Sequence, residues 1–235
     1  MTIHAAYQKL AKYYDAIYKR GFYSDYARFV KNVISWIKPG KSRLLDAACG
    51  TGLFIGAFKK ICPDATVFGF DCSENMISAA RKKHKDAKFF VRSFANFKLS
   101  NKFDAVVSTF DSVNYILGLN GLKKFFINVA QHLTKEGVFI FDFNTKLKKI
   151  NPLIKKNNIL LVNEIKNKKF WHSRIVIKEK RSILEERHIE RLYSLAEIKS
   201  VLRKSGFNKI EAYSDLEGKK DVAAVARLFV VAGKI

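Results

Sequence analysis

Residues 44–52 constrain the fold of this 235-residue chain most, because an apolar run ends there in an acid and continues into a glycine turn. The segment reads LLDAACGTG. A Gly-x-Gly turn lets a ligand approach the backbone where a Cβ atom would collide, and the helix that follows presents unpaired amide N–H groups. The segment therefore predicts a buried strand, a tight turn and a helix N-terminus that together bind a nucleotide.

Asp46 separates two nucleotide classes that the glycines leave open. Gly50, Gly52 and Gly56 also match a variant of the turn that binds nicotinamide cofactors. A carboxylate at the tip of the strand would repel a pyrophosphate, whereas it suits the ammonium and sulfonium groups of S-adenosylmethionine (SAM). We therefore predict SAM as the cofactor.

A second apolar run, residues 66–71, ends in Asp71, nineteen residues after Gly52. A carboxylate at this distance can accept both ribose hydroxyls, which fits either cofactor class. Ser73 is the predicted N-cap of the next helix. Met76 then lies one turn into that helix, where its side chain can cover an adenine face.

Three motifs in this order resemble the class I SAM-dependent methyltransferases: residues 45–52, 69–76 and 103–106. Within that class the chain is most similar to small-molecule enzymes such as the aminosugar N,N-dimethyltransferases. The shorter segments that carry this second resemblance are residues 14–18, 107–115 and 141–145.

The resemblance implies which residues contact SAM. The first motif would hold the methionine part, Asp71 the ribose, and Cys72 and Met76 the adenine edge. The whole implied set is Tyr14, Tyr18, Asp46, Ala47, Gly50, Gly52, Asp71, Cys72, Met76, Ser93, Phe94 and Thr109.

Ser93 is a departure from the family pattern. Relatives place an acid at this position, which accepts a hydrogen bond from the adenine amino group. A serine hydroxyl also accepts, but it carries less charge. We expect weaker discrimination for adenine, with SAM binding retained.

The candidate catalytic residues are Asp111, His188 and Tyr14. Asp111 follows the fourth strand, where it would bind a substrate amine or accept its proton, or merely form a turn. His188 titrates in the neutral pH range but is equally compatible with a bystander on an exposed strand. Tyr14 and Tyr18 are spaced to share one helix face, with core packing as the alternative. The aminosugar enzymes often carry His where this chain has Tyr115.

Alternating apolar and amphipathic runs predict an α/β fold built on a parallel sheet with helical crossovers. The family resemblance makes the prediction more specific: a Rossmann-like, seven-stranded, mostly parallel sheet with flanking helices. We expect N-terminal helices, at residues 5–20 and 24–38, and the SAM-binding core in residues 1–145. Residues 146–193 would form a small antiparallel β insertion that caps the substrate site. Residues 194–235 would add a helix and a β-hairpin to the same compact domain.

The charge of +23 is the compositional outlier. Residues 146–181 hold twelve Lys or Arg and two Glu. This excess of positive charge fits three roles: a solvent-exposed surface, binding of a phosphorylated or nucleotide-linked substrate, and RNA binding. The three cysteines lack the spacing of a metal site or a disulfide framework, so we expect no metal.

The sequence thus predicts an enzyme that transfers a methyl group from SAM to an amine or hydroxyl of a small-molecule metabolite, which could be anionic. An RNA methyltransferase and a non-catalytic SAM-binding protein are the alternatives. No apolar run is long enough to span a bilayer, so we expect a cytoplasmic protein without membrane contact, as a monomer or homodimer.

Overall fold

The computed structural model describes residues 7, 10–18, 20–37, 40–146, 151–156, 158–167, 169–179 and 182–234. Its helices are α1 Tyr14–Ile17, α2 Arg20–Ile37, α3 Leu53–Ile61, α4 Glu74–Lys83, α5 Leu119–His132 and α6 Leu195–Arg203. Its strands are β1 Arg43–Ala47, β2 Thr66–Asp71, β3 Lys88–Val91, β4 Phe103–Ser108, β5 Leu133–Asn144, β6 Leu153–Lys156, β7 Ile159–Lys166, β8 Phe170–Lys178, β9 Ile183–Arg191, β10 Lys209–Tyr213 and β11 Arg227–Gly233.

Seven strands form the main sheet, in the order β10-β11-β5-β4-β1-β2-β3. Strands β1 to β5 pair in parallel, whereas β11 runs antiparallel to both of its neighbours. The strand order reverses between β1 and β4, where ligands bind in open α/β sheets. The predicted Rossmann-like, mostly parallel sheet is confirmed.

Helices cover both faces of this sheet, which explains why its central strands are continuously apolar. One face packs against α5 and α6 through phenylalanines such as Phe125 and Phe139. The other face packs against α2, α3 and α4 through Tyr26, Phe54 and Ile77. Two apolar layers therefore hold the strand ends in place.

A second sheet of four antiparallel strands, in the order β6-β7-β8-β9, lies between β5 and α6 in the chain. One face buries Ile175 and Ile177 against Leu10 of the N-terminal segment. Alternation along β9 puts Glu186, His188 and Glu190 on one face, and all three are buried. The predicted antiparallel insertion is present, and we call it the cap sheet.

The N-terminal region differs from the expected pair of helices at residues 5–20 and 24–38. A 3-10 turn at Leu10–Lys12 and the short helix α1 replace the first, and α2 already begins at Arg20. Tyr18 ends α1 in an extended conformation. The reason is tertiary, because this segment packs on the cap sheet and on the nucleotide-binding turn.

Several other predicted boundaries shift by a few residues, and residues 1–6, 8, 9 and 147–150 lie outside the described part. The proposed division at residues 145 and 193 stays a prediction. Among the described residues, no helix has both the length and the apolar character required to cross a membrane.

Candidate functional site

A cavity of about 510 Å³ opens at the carboxyl ends of β1, β2 and β4. Seven of the predicted site residues line it, namely Tyr14, Gly50, Asp71, Cys72, Met76, Ser93 and Phe94. The other predicted residues, which are not part of that lining, are Tyr18, Asp46, Ala47, Gly52, Thr109, Asp111 and His188.

Asp46 is a fully buried carboxylate at the end of β1. Neither carboxylate oxygen has a hydrogen-bond partner among the described residues. Burial, and then the charge of Asp71, raise the pKa of Asp46 well above its usual range. A buried carboxylate without a partner is costly, so this position suits a cationic ligand.

Asp71 ends the neighbouring strand β2 and is held by backbone groups. It accepts hydrogen bonds from the amides of Gly50 at 3.0 Å and Ser73 at 2.9 Å. Burial raises the pKa of Asp71, and these amide donors oppose the rise. The carboxylate is thus oriented at the mouth of the glycine turn.

The glycine turn itself leaves room for a ligand. Gly52 caps α3 with φ 82°, and a Cβ atom there would come within 2.7 Å of the His84 ring. At Gly50 a Cβ atom would meet nothing within 4 Å, so the backbone is open to the cavity. Thr51 donates to Asp15 of α1, which also pairs with Lys83 at 2.7 Å.

The far end of the cavity is apolar apart from two polar side chains. Met76 and Phe94 line it, as the adenine hypothesis requires. Ser93 donates its hydroxyl to Asn96 Oδ1 at 2.7 Å, and Arg92 is close by. No acid lines this end among the described residues.

Beyond β4 the backbone turns sharply. Phe110 and Asp111 both have positive φ angles, 58° and 52°. Their amides donate to Asp142 at 2.7 and 2.9 Å, which holds the turn. Arg227 of β11 pairs with Asp142 at 2.7 Å and with Asp111 at 3.1 Å. Although burial disfavours its charge, these two acids raise the pKa of Arg227.

The Asp111 carboxylate is therefore engaged within the protein, by Arg227 and by Asn144. Each of its two carboxylate oxygens thus already has a partner within the protein. Thr109, directly before this turn, is also buried.

A group of tyrosines closes the cavity on the side of the cap sheet. The Tyr7 and Tyr115 hydroxyls are 2.6 Å apart, and both residues line the cavity. Tyr115 lies 3.1 Å from His188 Nδ1. His188 Nε2 is 3.4 Å from Glu186 Oε2. Burial raises the pKa of both tyrosines well above the usual range.

Tyr14 and Tyr18 complete this group, with ring centroids 4.4 Å apart. Tyr14 hydrogen-bonds Tyr23 at 3.0 Å, and Tyr18 packs edge-on to Phe110 at 5.1 Å. The expectation that the two phenols are neighbours is confirmed, although Tyr18 follows the end of α1.

Comparison with known proteins agrees with this geometry. A methyltransferase domain model matches residues 44–137. The chain is 36% identical over 135 residues to a dTDP-3-amino-3,4,6-trideoxy-α-D-glucopyranose N,N-dimethyltransferase of Streptomyces venezuelae, an alignment that covers 56% of each protein. It is 25% identical over 252 residues to a putative methyltransferase of Geobacillus sp. (strain WCH70), covering 97% of this chain and 99% of that protein.

The predicted resemblance to the class I SAM-dependent methyltransferases is confirmed by these matches. The fold of the chain matches a SAM-dependent methyltransferase of Clostridium acetobutylicum with a TM-score of 0.80, 24% identity and 96% coverage of each chain. Two further relatives are also named as N,N-dimethyltransferases of dTDP-linked amino sugars. The chain spans about half the length of these aminosugar enzymes.

Several contacts of the site join residues that lie far apart in the sequence, and the sequence did not predict them. Arg227 is 85 residues from Asp142, and Tyr115 is 73 residues from His188. Glu186 was missed as well, although its alternation with His188 was a usable signal.

The substitution Asp46→Asn tests the buried carboxylate. We expect SAM affinity to fall at least about 100-fold, because a charged hydrogen bond to the ligand is lost. The melting temperature should stay the same or rise, since an amide of equal size replaces a buried acid that has no hydrogen-bond partner among the described residues. Calorimetric titration with SAM measures the affinity, and thermal unfolding measures the melting temperature. Micromolar binding by this variant would contradict the assignment.

The raised pKa of Asp46 also predicts proton release on binding. A cation beside the carboxylate favours its ionised form, so SAM binding should release protons. Affinity should therefore increase with pH from the usual Asp range up to the raised pKa. Calorimetry in buffers of different ionisation enthalpy measures the released proton. Proton uptake on binding would be the opposite result.

Ser93→Asp restores the acid that relatives carry near the adenine. We expect about 10-fold tighter SAM binding, because a carboxylate accepts an amino hydrogen bond more strongly than a hydroxyl. Ser93→Asn is the uncharged control and should show no such gain. Equal or weaker affinity of the Asp variant would show that Ser93 does not face the adenine.

Proposed function

We propose that this protein methylates an amine of a small molecule, using SAM, with the cap sheet as a wall of the substrate site. The buried, unpartnered Asp46 beside Asp71 carries the proposal, because a cationic nucleotide satisfies both acids. The similarity to methyltransferases supports the same activity.

The residues of the cleft fit SAM. Asp46 would face its cationic methionine part, and Asp71 would accept the ribose hydroxyls. The open backbone at Gly50 admits a ligand, and Met76 and Phe94 provide an apolar surface for the adenine. When bound, SAM supplies a methyl group on a positively charged sulfur.

The protein's own contribution is alignment and the exclusion of water. In-line transfer requires the nucleophile about 3 Å from the methyl carbon. The turn at Phe110 and Asp111 is held by Asp142 and Arg227, so its backbone is a fixed wall of the site. Tyr7, Tyr14 and Tyr115 line the same cavity with their aromatic rings. These groups would orient an amine and keep the site dry.

An amine fits this site better than a hydroxyl. An amine needs only to be neutral when it attacks, whereas a hydroxyl needs a strong base. Asp111 is paired with Arg227 and Asn144, so we assign it a positioning role rather than that of a base. The three relatives named for dTDP-linked amino sugars act on amines.

We further propose an anionic substrate, such as a nucleotide-linked amino sugar. Arg92 lines the cavity, and the chain carries an excess of positive charge. The RNA methyltransferase and the non-catalytic protein are not favoured by the relatives. A cytoplasmic location and a monomer or homodimer remain predictions.

Transfer of label from methyl-tritiated SAM tests the proposal. The purified protein is incubated with dTDP-3-amino-3,4,6-trideoxy-α-D-glucopyranose, with free amino sugars, and with total RNA in parallel. We expect label in an amine product and none in RNA. The Asp46→Asn variant, which should bind SAM poorly, measures the label that appears without enzymatic transfer.

Label confined to RNA would overturn the small-molecule assignment. Tight SAM binding without transfer to any of these acceptors or to a bacterial metabolite extract would overturn the catalytic assignment.

A further inference from the structure

A hydrogen bond from Tyr115 to His188 connects the cavity with the cap sheet, and Glu186 lies beside the far side of the imidazole, although His188 Nε2 has no hydrogen-bond partner among the described residues. Tyr115, which lines the cavity, lies 3.1 Å from His188 Nδ1, and Glu186 Oε2 lies 3.4 Å from His188 Nε2. His188 and Glu186 are only 3% and 5% exposed. The only one of these groups in the cavity lining is the phenol.

The number of available protons determines which group donates and which accepts in each of these hydrogen bonds. A tyrosine hydroxyl donates one hydrogen bond and accepts two, and Tyr7 lies 2.6 Å from the Tyr115 oxygen. If Tyr7 donates to Tyr115, then Tyr115 donates to His188 Nδ1, and one lone pair on the Tyr115 oxygen remains for a ligand. His188 then carries its own proton on Nε2, toward Glu186.

Glu186 is held firmly in this arrangement. Its two carboxylate oxygens accept the backbone amides of Tyr7 at 2.8 Å and Leu10 at 2.9 Å. The carboxylate is therefore fixed beside the imidazole, where it stabilises a positive charge on His188. The same contacts join the N-terminal segment to the cap sheet.

We propose that Tyr115 is the catalytic residue that takes the proton from the substrate ammonium, and that it passes its own proton to His188. The inference rests on the proposed amine methylation. The ammonium N–H bond breaks as an O–H bond forms on Tyr115, and the original Tyr115 proton moves to His188 Nδ1. The products are a neutral amine and an imidazolium beside Glu186.

The coupled step avoids a free phenolate. Burial holds the pKa of Tyr115 well above neutral pH, so an ionised tyrosine is not populated there. Passing the proton on to His188 keeps Tyr115 neutral throughout. The neutral amine then attacks the methyl carbon, the carbon–sulfur bond breaks with its electrons remaining on sulfur, and the product leaves as an ammonium. The imidazolium proton returns to water after product release.

Other ionisable groups face this pair and bear on its titration. Glu190 follows His188 on the same face of β9, and Glu190, Tyr18 and Asp111 all interact electrostatically with Tyr115. Two carboxyl groups, Glu186 and Glu190, therefore lie on the same face of β9 as His188.

The first arm of the test needs no substrate. Nitrogen NMR of 15N-histidine-labelled protein reports the tautomer of His188, which is assigned among the five histidines by the substitution His188→Gln. We expect the neutral imidazole of His188 to carry its proton on Nε2, and we expect a shifted Nδ1 resonance in Tyr115→Phe. A neutral imidazole with its proton on Nδ1 overturns the relay.

The second arm measures methylation of dTDP-3-amino-3,4,6-trideoxy-α-D-glucopyranose as the probe. Tyr115→Phe and His188→Gln should lower kcat/KM about 100-fold or more near neutral pH. The deficit should shrink as pH rises above about 8, where amines of low pKa are already neutral. SAM affinity should stay within about threefold, because the acids and the apolar residues assigned to the cofactor are unchanged. A deficit that is constant with pH would indicate a structural role and overturn the proposal.

His172→Gln is the matched control. His172 lies on β8 of the same cap sheet, but it pairs with Ile189, so it occupies the face opposite to His188. This control should match the wild type in both arms. If the wild type does not methylate the probe, this sugar is not the substrate and the proposed function fails for it. The NMR measurement of the His188 tautomer still tests the proton transfer, because it needs no substrate.

Discussion

The arrangement of the site depends on two carboxylates that end adjacent parallel strands. Pairing of β1 with β2 places Asp46 opposite Gly69, two residues before Asp71. Two buried acids this close repel each other, and Asp46 has no hydrogen-bond partner among the described residues. Folding alone does not account for such a pair, since an apolar or amide side chain would be less costly. We propose that a cationic ligand accounts for it.

The helices and the cap sheet bury these two acids and hold their strands in position. Aromatic layers on both faces of the sheet hold the strand ends, and the cap sheet is joined to the core by polar contacts. Asn114 donates to the backbone oxygens of Asn144 and Arg191, at 2.9 and 2.6 Å. Glu186 ties the N-terminal segment to the cap sheet in a similar way. The cavity is thus enclosed by segments far apart in the chain.

Local sequence signals predicted the sheet, the glycine turn and the N-cap at Ser73, which accepts from the Met76 amide. Each of these depends on neighbouring residues. The Arg227 contacts with Asp111 and Asp142 could not be predicted in this way, because the packing of β11 against β5 creates them. The same holds for the contact of Tyr115 with His188. The first helix was predicted too long because its apolar residues pack against other segments rather than along one helix face.

The most direct test of this account is a crystal structure with bound S-adenosylhomocysteine, which retains the ammonium and ribose but lacks the reactive methyl. The account predicts the amino-acid part of the ligand beside Asp46, and the ribose hydroxyls on Asp71. It also predicts open space beyond the sulfur, toward Tyr115. A ligand bound with Asp46 still unpartnered, or with packed side chains filling the space beyond the sulfur, would contradict the account.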